Sequence, residues 1–571
     1  MRKHWPFAIL AALALTLLVA NLGSGYFWED EGDTAVLATN ILKFGVPKAC
    51  DGVTFLDSDK GARLNNELVM VSHPWLQYYL TAGSFALFGQ NNFAARLPFA
   101  LAGWLTILVV YLSVYGLTSN RWAGFCSSAL LTGSVQFFLY CRQCRYYSLS
   151  MLFGSLLVWI FFHMRSARAC ALFSIVGIFL FHSHPFGIVL VGGLGLISLI
   201  YPPFRDQRRW FYLAGPVIAV FTLPWIAFAH RGYAENSKIV TSVAQLCGRL
   251  IQYAIECASV TPLLGMGILA LICGLRSDLQ RRKGDVGSQE SRNHLLNRDE
   301  FGLLLIAFVA LSCYDAAIAA TESTDDLWHI GIRYTAAVIP LVAMTVGILT
   351  IKVSRARVLI WLPLLLLFTF TTVAQLTPWI FWGRSVTTFD GTEVVEAHLP
   401  RNFTDRYLNT GQQVMFLRDL WGENPGTLAK ICQFLQQHAQ PGDALITNYD
   451  WEPLYFYTRL PQALKVFPDY PIYETARRKG LPDYVFGVDR VRWIVWRPIW
   501  EGYVGYSGEE LERQIFSAGG GAVLMAKFEE TIWENRPEIH LHRFSADKYF
   551  FTAPENLRAA QIFRIDWPKS D

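Results

Sequence analysis

Residues 26–33 read Tyr-Phe-Trp-Glu-Asp-Glu-Gly-Asp, which crowds Glu29, Asp30, Glu31 and Asp33 into five positions. Carboxylates this close repel one another, so at least one holds its proton more tightly than usual; that suits a general base or a seat for a cation. An ordinary helix start looks the same, because Asp and Glu favour helix N-termini, and the stretch alone leaves both readings open. Four further patterns accompany it: His73-Pro74, Arg142-Gln-Cys-Arg145-Tyr146-Tyr147, His184-Pro185 and Arg333-Tyr334. Another cation, Arg231, follows Pro224-Trp225 and His230. A single interfacial arginine commonly does no more than snorkel to headgroups. Arg142 and Arg145, three residues apart beside tyrosines and joined by an acidic cluster elsewhere in the chain, fit a phosphate clamp better. His184, Arg333 and Tyr334 are candidate substrate contacts. The four acids could hold a divalent cation, but their spacing does not demand one, so the metal stays open and no other cofactor is called for.

Such residues need a scaffold, and the composition says which kind. Of the 571 residues 53% are hydrophobic and only 16% charged, against about 25% charged in a soluble domain. That excludes a soluble enzyme, a disordered chain and a disulfide-stapled secreted module, and leaves a polytopic α-helical membrane protein. A net charge of +4 spread over loops is no footprint for nucleic acid. With about 20 apolar residues per crossing, eleven spans are expected, near 5–22, 97–117, 122–140, 147–163, 170–184, 186–203, 210–229, 259–275, 301–320, 334–351 and 358–380. Alternate connections are rich in Arg and Lys, from Arg2 and Lys3 to Lys352, Arg355 and Arg357, which places them in the cytoplasm. Segment 23–96, the loop after Tyr140, the 230–258 and 321–333 loops and the C-terminus then lie outside, in the periplasm if the membrane is a bacterial inner membrane. All the polar patterns fall on that side. The apolar run 73–89 would invert every later loop if it crossed, so it is read as a helix along the outer surface.

Residues 1–382 thus form the transmembrane part, with outer loop and surface helices at 23–96, and 383–571 a soluble α/β domain. In that domain Asn424–Gln440 and Gly508–Ala518 read as helices, and Ala444–Asn448, Val491–Trp496, Ala522–Phe528 and Glu538–Phe544 as strands. The ten cysteines form no zinc pattern. Cys141 and Cys144 leave open a disulfide or two free thiols, and Asn402-Phe-Thr is a glycosylation sequon, relevant only in a eukaryote.

In order and spacing the motifs resemble the C-type (GT-C) membrane glycosyltransferases, and more narrowly bacterial family 39 members and the lipid A aminoarabinose transferases. The resemblance rests on the Asp-Glu pair after the first span, the His-Pro surface helix ending in Leu-Phe-Gly, Ala95-Arg-Leu-Pro98, Arg142-x-x-Arg145-Tyr146, and Arg333-Tyr334 with Pro340 downstream. It covers roughly residues 5–380. It implies transfer of a sugar from a polyprenyl-phosphate donor to a lipid, glycan or protein acceptor at the outer face. Asp30 takes the place of the catalytic Asp, with Glu31 as its partner, and His73, Arg142, Arg145, Tyr146 and Arg231 become donor-phosphate residues. His73 stands where the aminoarabinose transferases carry Lys, which puts aminoarabinose in doubt as the sugar. Cations at the phosphate would stabilise the leaving group, and Asp30 would take the acceptor's proton in a direct, inverting displacement. The rival readings are a transporter or flippase of lipid-linked sugars, whose polar site would sit nearer the bilayer midplane, a non-catalytic envelope assembly protein, and an oligosaccharyl transferase.

Overall fold

The computed structural model describes residues 4–56, 63–236, 242–282, 296–321, 331–371 and 373–375 of the membrane part. Beyond these it describes 385–389, 394–398, 426–463, 491–498, 507–530 and 559–568, with isolated positions between 413 and 480. The helices of the first part are α1 (Trp5–Val19), α2 (Glu29–Phe44), α3 (Leu76–Phe88), α4 (Asn92–Thr118), α5 (Arg121–Thr132), α6 (Val135–Cys141), α7 (Tyr147–Phe162), α8 (Ala167–Ser183), α9 (Gly187–Ile200), α10 (Arg205–Asn236), α11 (Val243–Val260), α12 (Leu263–Arg282), α13 (Arg298–Thr321), α14 (Ile339–Ser354) and α15 (Val358–Phe370).

Within the described residues, each of the eleven apolar segments expected from the sequence overlaps one of these helices or a pair of them; the end of the last, 376–380, lies outside them. Length is another matter: among the described residues four are long and apolar enough to cross a membrane, or five if α5 and α6 form one span. Two departures are informative. The segment read as one span at 122–140 is broken, with α5 and α6 meeting at 68°. The break falls at Gly133-Ser134, where Ser134 caps α6 through its side chain, so local capping overrides a continuous apolar run. The 230–258 connection, read as a loop, contains the amphipathic helix α11, which the charge pattern had hidden.

The centre of the bundle is α14, whose side chains are nearly all buried. It lies against α5 so closely that a Cβ on Gly347 would stand 2.6 Å from the Ser127 backbone nitrogen. Small residues permit this backbone approach where apolar lipid offers no other drive for association. Helix α3 packs on α2 and α4, and α2 ends in Gly45 at φ 78°, a left-handed stop natural to glycine.

In the second part the strands are β1 (Ser385–Phe389), β2 (Val394–His398), β3 (Ala444–Thr447), β4 (Val491–Trp496), β5 (Gly521–Phe528) and β6 (Ala560–Asp566). Three helices are described there: α16 (Thr427–His438), α17 (Trp451–Thr458) and α18 (Gly508–Ser517). β1 and β2 form an antiparallel pair. The other four make one mixed sheet in the order β3-β4-β6-β5, with β3 and β4 parallel. Alternation along β4 sends Trp493 and Val495 towards α16, and Ile494 and Trp496 towards α18, as a strand with both faces covered requires. The strand expected at Glu538–Phe544 lies outside the described residues, as does the Asn402 sequon.

Candidate active site

Residues after α1 turn sharply and enter α2 through Trp28, an extended N-cap residue that puts Glu29, Asp30 and Glu31 in the first helical turn. Negative charge there is favoured by the helix dipole. Successive helix positions point about 100° apart, so neighbouring acids face different surroundings.

Glu31 faces inward. It is fully buried and holds Arg96 of α4 in a two-pronged ion pair, with Nε to Oε1 at 2.8 Å and Nη2 to Oε2 at 2.7 Å. It also accepts the Cys144 backbone N–H at 3.1 Å. The other Arg96 nitrogen donates to the carbonyls of Leu22, Ser24 and Gly25. This pair ties together α1's exit, α2, α4 and the 141–146 loop. The sequence expectation that Glu31 partners Asp30 in chemistry is therefore revised: its oxygens are occupied by a structural pair.

Asp30 faces outward. Its Oδ2 lies 3.1 Å from Arg145 Nη2 and 3.5 Å from Arg333 Nη1. Arg145 is 4% exposed, Asp30 25% and Arg333 18%, so a deep cation and a shallower one hold a reachable carboxylate. Arg145 also donates to the Asp30 carbonyl at 3.2 Å and to Thr34 Oγ1 at 3.3 Å, and reaches Asp33 at 3.9 Å. Burial opposes the charge on Arg145, but Asp30 beside it outweighs that and holds the guanidinium firmly protonated. Asp33, which accepts from Tyr78 at 3.5 Å, is pushed up to about 6; burial is the main cause and neighbouring Asp30 adds to it, while Arg145 and Arg63 pull the other way.

An aromatic and imidazole wall adjoins the pair. Tyr146 stacks on His184 with ring centres 4.2 Å apart, His184 lies 5.1 Å from Tyr334 and 6.0 Å from His73, and Arg333 donates to the Tyr334 hydroxyl at 3.0 Å. Burial, and then the charges of Arg145, Arg63, His184 and Arg333, drive His73 well below its usual value. It is neutral at pH 7, so it can offer a hydrogen bond but not the positive charge expected of it from the sequence. Its Nδ1 and the Tyr146 hydroxyl are buried with no hydrogen-bond partner among the described residues. Buried polar atoms are seldom left unsatisfied, and ones that lie beside a partly exposed ion pair have capacity for water, an ion or a substrate oxygen.

Arg142 is not part of this constellation. Its guanidinium donates to the carbonyls of Leu17, Leu18, Ala20 and Asn21 at 2.8–3.3 Å, satisfying the free carbonyls at the C-terminus of α1. The two-arginine clamp reduces to Arg145, with Arg333 as its companion. Arg231 lies on α10 and its side chain is outside the described residues; upstream, Trp225 packs on Trp75 at 5.5 Å, bringing that helix to the start of α3. Cys141 and Cys144 are separate buried thiols. Among the described residues no group of three or more His, Cys, Asp or Glu has metal-holding geometry.

Sequence reasoning gave no site role to Arg63, Tyr78, Arg96 or Glu452. Arg96 stood inside the quoted Ala95-Arg-Leu-Pro98, and an arginine at the head of an apolar span was a signal that it needed a buried anion. The others carry no local signal, since their partners are distant in sequence.

The same architecture occurs in solved structures. ArnT from Cupriavidus metallidurans bound to undecaprenyl phosphate superposes with a TM-score of 0.54 at 14% identity, over 98% of this chain and 97% of that one. Its apo form gives 0.51 at 14%, over 99% and 98%. The fold is that of the GT-C membrane glycosyltransferases. The family model described as dolichyl-phosphate-mannose-protein mannosyltransferase matches residues 72–228, from the His73 turn to the Trp225 region of α10. No curated protein matches the sequence. Helices α2 and α3 and the 141–146 loop come together where Asp30, Arg145 and Arg333 meet.

Proposed function

We propose that the protein transfers a sugar from a polyprenyl-phosphate donor to a hydroxyl of a lipid, glycan or protein acceptor, at the outer end of an eleven-span bundle in a bacterial inner membrane. The soluble domain, from about residue 383, would share that periplasmic side. The observation that carries the reading is the Asp30 carboxylate held by Arg145 and Arg333 beside two unsatisfied buried polar atoms, on a fold shared with a protein crystallised with undecaprenyl phosphate.

The geometry supports a sequence of events. Before donor binds, the two arginines share Asp30, and two cations against one carboxylate leave positive charge in excess for a phosphate to meet. A phosphate entering beside them offers more acceptor oxygens than a carboxylate, and arginine forks suit it. Drawing Arg145 and Arg333 onto the phosphate releases Asp30 oxygens to accept the proton of an acceptor hydroxyl. The same arginines then stabilise the negative charge growing on the departing polyprenyl phosphate. The acceptor oxygen bonds to the anomeric carbon as the carbon–phosphate-oxygen bond breaks, so the anomeric centre inverts. Neutral His73 and Tyr146 are placed to hydrogen-bond phosphate or sugar oxygens. A role for Arg231 at the phosphate and for a divalent cation among the acids belongs to the proposal from sequence alone.

The test is the lipid that copurifies. Mass spectrometry of the protein extracted in mild detergent is expected to find a polyprenyl phosphate or its sugar conjugate, and the purified protein is expected to consume that conjugate when given an envelope lipid fraction. Absence of the lipid together with ATP-independent movement of lipid-linked sugar across vesicles would support the flippase reading instead.

A further inference from the structure

The C-terminal part of the chain reaches the acidic cluster through α17. Its approach is very close: a Cβ on Gly32 would stand 2.4–2.6 Å from Pro453 ring atoms, so α17 and α2 can meet this way only because residue 32 is glycine. Flanking contacts fix the arrangement. The Tyr457 hydroxyl accepts the Phe27 N–H at 2.8 Å and donates to Asn92 Oδ1 at 2.8 Å, Arg459 donates to Gln90 at 3.0 Å, and Tyr455 donates to the Asp51 carboxylate. On the other side, Arg497 is ion-paired to Asp450 and Glu530, and Asn448 bonds both backbone groups of Arg497 at 2.8 Å. Asp450 is the N-cap residue of α17, so this buried network fixes the first turn of the helix.

That first turn carries Glu452. It is 8% exposed, and its Oε2 has no hydrogen-bond partner among the described residues. A glutamate buried with a vacant oxygen beside other acids has no evident structural purpose, because such a group costs stability unless something pairs with it. Resting on the glycosyltransferase reading above, we propose that Glu452 is a substrate-contact residue supplied by the C-terminal domain, whose free Oε2 hydrogen-bonds an oxygen of the sugar or acceptor next to Asp30.

The chemistry of the surroundings defines the contact. The groups around Glu452 are Glu29, Asp30 and Asp33 on α2, with Arg145 reaching Asp30 and Asp33 from the neighbouring loop, Arg63 acting on Asp33, and Tyr78 reaching Asp33 from α3. Burial raises Glu452 well above the ordinary carboxyl range, and the charges of Glu29, Asp33 and Asp30 add to the effect. Held up in this way, Glu452 keeps its proton more tightly than an ordinary carboxyl, and the protonated acid donates in a hydrogen bond; hydroxyl, ring and phosphate oxygens accept one, and an ammonium group does not.

The test compares Glu452→Gln, Glu452→Ala and wild type in transfer from the copurified polyprenyl-phosphate sugar. The amide keeps shape and a donor N–H without titrating, so Glu452→Gln is expected within about threefold of wild type, with no loss of turnover as alkaline pH ionises Glu452 in the wild type. Glu452→Ala is expected to lose about tenfold or more in kcat/KM at unchanged thermal stability, on the scale of one lost hydrogen bond to substrate. Equal kcat/KM in all three, or equal impairment of Gln and Ala with a fall in Tm, would overturn the assignment. A wild type that transfers nothing removes the glycosyltransferase reading. A second readout remains in that case, since an infrared band of a protonated carboxyl that disappears in Glu452→Gln is required and its absence overturns the proposal.

Discussion

The inner and outer faces of α2's first turn hold the same chemistry in two different conditions. Glu31 and Arg96 form a sealed pair, 0% and 2% exposed, with further donors and acceptors satisfied around it. One residue earlier, Asp30 is shared by two arginines and is a quarter exposed. The comparison shows that carboxylate–arginine pairing alone does not mark a reactive group. What separates a clasp from a site is whether the pair keeps capacity to exchange partners. The sealed pair has none to spare, while the outer one sits beside atoms of His73, Tyr146 and Glu452 that have no hydrogen-bond partner among the described residues.

The largest effect expected from breaking this contrast is on the sealed side. Arg96→Ala leaves Glu31 charged and buried, a change on the order of 3–5 kcal/mol, and should abolish or sharply lower thermal stability in detergent as followed by intrinsic fluorescence. Retention of the wild-type Tm would mean that the pair does not tie α2 to α4.

A smaller effect separates the two arginines of the 142–145 element. Arg142→Ala frees carbonyls at the end of α1 and should cost roughly 1–3 kcal/mol of stability while leaving polyprenyl-phosphate affinity intact. Arg145→Ala should weaken that affinity at least tenfold, and Arg145→Lys less, because a lysine keeps the charge but not the fork. Direct binding of the lipid phosphate to both variants would show the division, and equal losses would erase it.

Gly32→Ala sharpens the comparison from above, since it affects neither pair directly. The added carbon meets Pro453, and overpacking of this kind costs about 1–3 kcal/mol. Limited proteolysis should cut the C-terminal part of this variant faster than that of wild type, with Arg96 and Glu31 undisturbed.

The smallest effect concerns Asp33. Its carboxyl is raised to about 6 in the folded protein, above its unfolded value near 4. Between those values the folded state binds more protons than the unfolded state, so stability contributed by this group is greatest below about pH 4 and declines as pH rises towards 6. Thermal unfolding across that window should show the slope flatten in Asp33→Asn; an unchanged slope would assign it to other groups.

How far the sequence reached follows from the range of each interaction. Apolar run length put a helix at each expected segment, because apolar composition is a local property, although only four or five of the described helices are long and apolar enough to cross a membrane. The same property said nothing about the break at Gly133-Ser134, where a cap decides, or about α11, whose apolar residues occupy one face. Asp30, Arg145, Tyr146, His184 and Arg333 were legible as short polar motifs at the ends of apolar runs, and the structure brings them together. Their partition was not: whether Asp30 or Glu31 faces Arg145 depends on helix phase, and whether Arg142 reaches outward depends on where α1 ends. Glu452 could not be read at all, since its neighbours in space lie some four hundred residues earlier and its own stretch looks like an ordinary helix start.

The most direct test of the outer pair as the reactive one is transfer by Asp30→Asn under single-turnover conditions, with lipid donor binding measured on the same preparation. The amide keeps the size of the carboxylate and one oxygen to accept from the arginines, and removes its charge and basicity. The expected result is donor affinity within a few fold of wild type, a folded protein with a cooperative melt, and transfer slower by about a hundredfold or more. Transfer by Asp30→Asn at the wild-type rate, with donor bound as before, would contradict the assignment of Asp30 as the base.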